Sequence, residues 1–179
     1  TSLSKDIFVL PSKRAGVFLK NELSNYYDST FFLPKIISIE EFIEDVSGLI
    51  TSSNLETLFT FYEVYESIIP DELKESFESF SKWGQILLHD FNEIDRYGIN
   101  AQQFFSNLSD IKQIENWSPS EKPTTLITNY LDFWRNSFHY YDKLQSKLVQ
   151  TGVGYQGLVY REASNKINDY ISNNDIHHY

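Results

Sequence analysis

Three apolar stripes at helical spacing dominate the 179-residue chain and leave room for only a small sheet. Leu55, Leu58, Phe59, Tyr62, Tyr65 and Ile69 recur every three to four residues until Pro70, which cannot continue a helix, stops the run. Leu73, Phe77, Phe80, Leu87, Phe91 and Ile94 form a second stripe that ends before Gly98. Ile127, Leu131, Trp134, Phe138, Tyr141 and Leu148 form a third, a helix of about 25 residues and ~37 Å at 1.5 Å per residue. Weaker patterns predict a short helix near 101–108 and a last helix reaching about residue 172. A loop carrying Trp117, Pro119 and Pro123 separates the 101–108 helix from the third stripe, and Asn173–Tyr179 reads as a frayed tail.

Only two β-favouring runs stand against these helices. Residues 6–10, AspIlePheValLeu, stop at Pro11 and read as a buried strand. Ser12 then occupies the N-cap position of a helix whose apolar face is Ala15, Phe18, Leu19 and Leu23. After turn residues at 25–30, residues 32–37, PheLeuProLysIleIle, read as a second strand with Pro34 at its beginning or edge. Ser38-Ile39-Glu40-Glu41 is a capping box, which opens a helix burying Phe42, Ile43 and Val46 and ending near Gly48. Strand–helix–strand–helix is the pattern of a parallel βαβ unit. The expected fold is therefore α/β and predominantly helical, with a small open-edged parallel element at 1–48 and a helical region at 49–179.

Composition narrows the function classes. Aromatics make up 16 % of the chain, enough for a packed core, and cysteine is absent, which removes disulfides and thiolate chemistry. No apolar run approaches the ~20 residues of a membrane span, and no secretory signal opens the chain, so a soluble cytoplasmic protein with no membrane partner is expected. The chain begins with Thr and contains no Met, which reads as an internal piece of something longer. Net charge is −10 but unevenly spread. Residues 1–20 carry Lys5, Lys13, Arg14 and Lys20 against Asp6, whereas residues 40–95 hold fourteen acids against Lys74 and Lys82. Such a balance argues against a general nucleic-acid coat but leaves room for a local phosphate contact at the basic end.

Most motifs have a plain structural explanation. Gly152-Val153-Gly154-Tyr155-Gln156-Gly157 matches GxGxxG in form, but a long helix rather than a strand leads into it. Gly152 reads better as a left-handed helix cap and Gly154 as a residue that loosens a helix–helix turn. There is no Walker-type phosphate loop and no HExxH. The four histidines, His89, His139, His177 and His178, have no metal-ligand spacing, so no metal site, catalytic residue or cofactor is expected in this segment. Asp90, Glu93 and Asp95 read as a solvated acidic face. One segment conflicts with its own helix: Ser12, Lys13 and Arg14 put two cations at a helix N-terminus, where they oppose the dipole. Helix N–H groups, a hydroxyl and two cations suit a phosphate; the alternative is that both long side chains extend into solvent.

That segment resembles the superfamily I helicases, with ProSerLysArgAla at 11–15 in the place of motif Ia and IleSerIleGluGluPheIle at 37–43 in the place of motif Ib. The similarity is closer to the AddB-type subunit of bacterial helicase–nucleases, a family with an inactivated helicase part and a PD-(D/E)XK nuclease. It is carried by LeuProLysIleIleSerIleGluGluPhe at 33–42, LeuLeuHisAspPheAsnGluIleAsp at 87–95 and TyrGlnGlyLeuValTyrArgGlu at 155–162. The resemblance implies that 1–48 belongs to a P-loop, RecA-like helicase domain and that the helical region is its insertion. It implies DNA phosphate contacts at Ser12, Lys13 and Arg14, and more weakly at Ser38, which also serves as an N-cap. The implied partners are DNA, single-stranded or a duplex end, and a helicase–nuclease motor subunit. Walker A, Walker B and nuclease motifs are missing, so no ATP hydrolysis is expected of this chain alone. The expected role is a DNA-binding scaffold in double-strand-break repair, and the alternative is a helical protein-interaction module without nucleic-acid contact.

Overall fold

In the computed structural model, residues 6–26, 32–115 and 125–173 are described, with side chains throughout except at 112–115 and 125–131. Asn25 and Tyr26 of the turn expected at 25–30 are still helical. Its remainder at 27–30, the Trp117 loop, the first part of the third stripe (Ile127 and Leu131) and the tail beyond Asn173 lie outside these described residues or side chains. The chain divides into two compact units, Thr1–Gly48 with Glu162–Tyr179, and Leu49–Arg161. The helical region from 49 onward is therefore shared, its part from Glu162 grouping with the first unit.

In the first unit, β1 (Ile7–Leu10) and β2 (Lys35–Ser38) pair in parallel, with Ile7 opposite Lys35 and Leu10 opposite Ser38. Pro11 stops β1 because it has no N–H for a ladder, and the buried Pro34 sits just before β2. Helix α1 (Lys13–Tyr26) connects them and α2 (Ile39–Ser47) follows β2, which is the predicted strand–helix–strand–helix order. Gly16 lets α1 approach β2 closely, since a Cβ there would stand 3.2 Å from Ile36 Cγ2. The capping box at Ser38 and Glu41 is formed, and Gly48 ends α2 in the left-handed region at φ 72°. The Lys166 ammonium, from α7 (Gln156–Asn173), donates to the Ser47 carbonyl at 2.7 Å, a cation at the negative end of α2.

One expectation for α1 fails. Ala15, Leu19 and Leu23 are partly covered, but Phe18 is 62 % exposed and Val17 stands out beside it. The two-stranded sheet is too narrow to cover the whole apolar face of α1. Strand β1, expected to be buried, is not: Ile7 and Val9 are open, and Phe8 and Leu10 are only partly covered.

The second unit is helical: α3 (Asn54–Ile68), a 3-10 turn (Asp71–Leu73), α4 (Phe77–Arg96), α5 (Ala101–Glu115), α6 (Thr125–Thr151) and the first turns of α7. Phe61 lies at the centre of its core, with ring centroids 5.1 Å from Phe80, 5.7 Å from Phe91 and 6.0 Å from Tyr140. The predicted α3 stripe is only half right. Leu58 and Tyr65 are buried, but Leu55 and Phe59 are exposed, and Phe61 and Val64 take their place in the core. Residues 57–65, ThrLeuPheThrPheTyrGluValTyr, are apolar on more than one face, so two stripes fit the spacing and the partner helices choose between them. Leu73 is also exposed, being in the 3-10 turn rather than in α4. Helix α5 runs to Glu115, seven residues past the predicted end.

A second parallel pair joins β3 (Ile50–Thr51) to β4 (Val153–Gly154), which the sequence reading did not foresee. Gly152 adopts φ 74° at the end of α6, as predicted for a left-handed cap. Among the described residues no helix is long and apolar enough to cross a membrane.

Candidate nucleic-acid interface

Ser12, Lys13 and Arg14 leave the carboxyl end of β1, and Ser38 is the last residue of β2. Because Leu10 and Ser38 are register partners, the two strand-to-helix turns lie side by side at one sheet edge. Ser12 caps α1 as predicted, its Oγ accepting the Ala15 N–H at 3.3 Å. The first turn of α1 contains no acid, and Ser12, Lys13 and Arg14 are all exposed.

Glu41 links the two turns. Its carboxylate accepts the Ser38 N–H at 2.9 Å and meets the Lys13 ammonium at 3.1 Å. The Ser38 N–H first, and Lys13 second, hold the Glu41 carboxyl below its usual range. The Lys13 side chain is nevertheless 74 % exposed, so the pair is a weak surface contact that a competing anion can displace. Arg14 makes no ion pair among the described residues. Ser38 differs from the other three: it is 1 % exposed and its Oγ accepts the Glu41 N–H at 3.2 Å. Its hydroxyl is used in holding α2 at this edge.

A second polar constellation was missed by sequence reasoning. Asp95, read as part of a solvated acidic face, is 2 % exposed in the second unit. The hydroxyls of Tyr141 and Tyr155 donate to it, Gln145 Nε2 donates at 2.7 Å, and Arg161 Nε stands 2.7 Å from Oδ1. Arg161 also donates to the carbonyls of Ile94 at 2.9 Å and Ile99 at 2.7 Å, a cation at the carbonyl end of α4. Nearby, Asn92 Oδ1 accepts the Gly157 N–H at 2.8 Å. The segments 87–95 and 155–162, which carry much of the resemblance, are thus locked together through Asn92 and Asp95.

This junction has a pH consequence. Burial first, and the Asp95 carboxylate next, push the Tyr141 and Tyr155 phenols above their ordinary value. The folded chain therefore holds these protons at a pH where unfolded tyrosine, near pH ~10, releases them. Stability should be insensitive to this pair below that pH and fall as pH rises above it. Exposed tyrosines such as Tyr97 should ionise first. The phenolate absorbance that Tyr141→Phe removes should appear only as helical circular dichroism is lost in the alkaline titration, and its appearance with the helices intact would refute the assignment.

Comparison with family models, curated proteins and solved structures finds no match for this chain. Among the described residues no group of three or more His, Asp and Glu side chains is placed to hold a metal ion.

Proposed function

We propose that this chain is a DNA-binding scaffold segment of a degenerate superfamily I helicase-like subunit, acting with a motor partner in double-strand-break processing. The supporting observation is the register of β1 and β2, which sets the Ser12–Arg14 turn beside the Ser38 turn. Carboxyl ends of adjacent parallel strands are where open α/β sheets take anionic ligands. In this reading Ser12, Lys13 and Arg14 contact phosphate, and Ser38 fixes the neighbouring turn through its cap. Glu41 holds Lys13 until phosphate replaces it.

The test is binding of the intact chain to single-stranded DNA as a function of salt. Two or three phosphate contacts should give a log–log slope of about −0.7 per contact. Arg14→Glu should weaken binding by about ten- to a hundredfold, because a charge-assisted contact contributes roughly 1.5–3 kcal/mol. The fold should be unaffected, since an acid suits a helix N-terminus. The sequence alone implies the same for Lys13, but Lys13→Glu would set a second carboxylate beside Glu41 and forfeit that gain. Unchanged affinity of Arg14→Glu, or no binding at low salt, would refute the proposal.

The exposed apolar side chains of the first unit, Val17, Phe18, Tyr26 and Phe32, favour a second reading as a protein-interaction module. Loss of a protein partner on Phe18→Ser, with no DNA affinity in the parent chain, would support it instead.

A further inference from the structure

A cleft of about 590 Å³ opens in the second unit beside the ends of β3 and β4. Leu55, Leu58 and Leu88 give it an apolar floor, and Asn54, Gln85 and His89 stand among its polar lining. These three polar side chains make no hydrogen bond among the described residues. The apolar surface does not stop at the mouth. Leu55 is 60 % exposed although it lines the cleft, and Phe59, one turn further along α3, is half exposed and stacked 4.8 Å from Phe77. Contiguous apolar surface, unlike singly scattered exposed residues, is a feature of interaction sites and binding grooves.

The lining also states what it excludes. No Lys, Arg, Asp or Glu lines the cleft, so the part of an occupant inside it is uncharged. Asn and Gln side chains each offer a donor and an acceptor, the pair that a peptide group needs. Glu56, Asp90 and Glu93 adjoin lining residues in sequence, within residues 49–95 of the second unit, which hold ten acids against two lysines.

We propose that this cleft docks an extended segment of a partner protein, with one apolar anchor residue on the leucine floor and lysine or arginine on both flanks. The anchor follows from the floor and from exposed Leu55. The peptide groups follow from the free amide side chains, and the basic flanks from charge complementarity.

The experiment is fluorescence polarisation of the intact chain with a pooled library of acetylated ten-residue peptides. Leu, Ile or Phe is fixed at the centre and Lys or Arg at both ends. One control pool carries Ser at the centre, another Glu at the ends, and N-acetyl-leucinamide serves as a small neutral probe. The basic, apolar-centred pool should bind saturably, and each control pool at least about tenfold more weakly. Leu55→Ser combined with Gln85→Ala, both exposed positions, should weaken binding by about tenfold or more with an unchanged melting curve. Asp90→Asn should reduce the preference for basic over acidic flanks. Absence of saturation up to about 1 mM, equal binding of the control pools, or an indifferent double variant would overturn the proposal. Leucinamide binding as tightly as the peptides would also overturn it, making the cleft a small-molecule site.

Discussion

Asp95→Ala should lower the unfolding free energy of the chain by about 3–5 kcal/mol, as expected when one partner of a buried ionic network is removed. The carboxylate side chain is wholly buried and receives two tyrosine hydroxyls, an amide and the Arg161 guanidinium. Alanine leaves all four facing a small void. The tyrosine hydroxyls suffer most, since both residues are buried in the core. Arg161 suffers less, because it is partly exposed and keeps its bonds to the Ile94 and Ile99 carbonyls. The large loss concerns breaking the network and does not mean that the ion pair outperforms an apolar core of the same shape. An exposed acid on the same helix provides the contrast: Glu78→Ala should stay within about 0.5 kcal/mol. Urea unfolding of both variants decides the matter, and a loss below about 1 kcal/mol for Asp95→Ala would show that its partners find substitutes.

Which parts of this architecture could be read in advance follows from the range of the interactions involved. The Ser38–Glu41 capping box, the Gly152 cap and the stop at Pro70 are local, set within a few residues, and the structure forms each of them. The parallel pairing of residues 7–10 with 35–38 was legible because a strand, a capped helix and a second strand leave few other arrangements. The β3–β4 pair was not, since two-residue strands carry no alternation to detect. Phe61 over Leu55 was undecidable from spacing alone, because α3 is apolar on several faces. Asp95 was misread because acids at 90, 93 and 95 look alike in sequence. Only the arrival of Tyr141, Tyr155 and Arg161 from distant helices separates it from its neighbours. For the interface, the Ser12–Arg14 turn stood out through a local conflict with the helix dipole, but its tie to Glu41 requires the tertiary register of the two strands.

Gly157→Ala should cost about 3 kcal/mol or more, beyond the usual range for small-to-large changes in cores. An added Cβ would stand 2.2 Å from the Asn92 carbonyl oxygen and 3.1 Å from the Arg96 nitrogen. Both atoms belong to the backbone of α4, so no side chain can turn aside. The start of α7 would have to move off α4, stretching the bond from the Gly157 N–H to Asn92 and pulling Tyr155 and Arg161 away from Asp95. Two controls separate this mechanism from simpler ones. Asn92→Ala removes only the hydrogen bond and should cost about 1 kcal/mol. Gly98→Ala tests backbone strain without contact, since its φ is 65° and nothing lies within reach of a Cβ; about 1–2 kcal/mol is expected. Because the Gly157 change already disturbs the Asp95 cluster, adding Asp95→Ala should cost less than it does alone, a coupling on the order of 1 kcal/mol. Strict additivity would mean that the close helix contact and the buried carboxylate hold the α4–α7 junction independently.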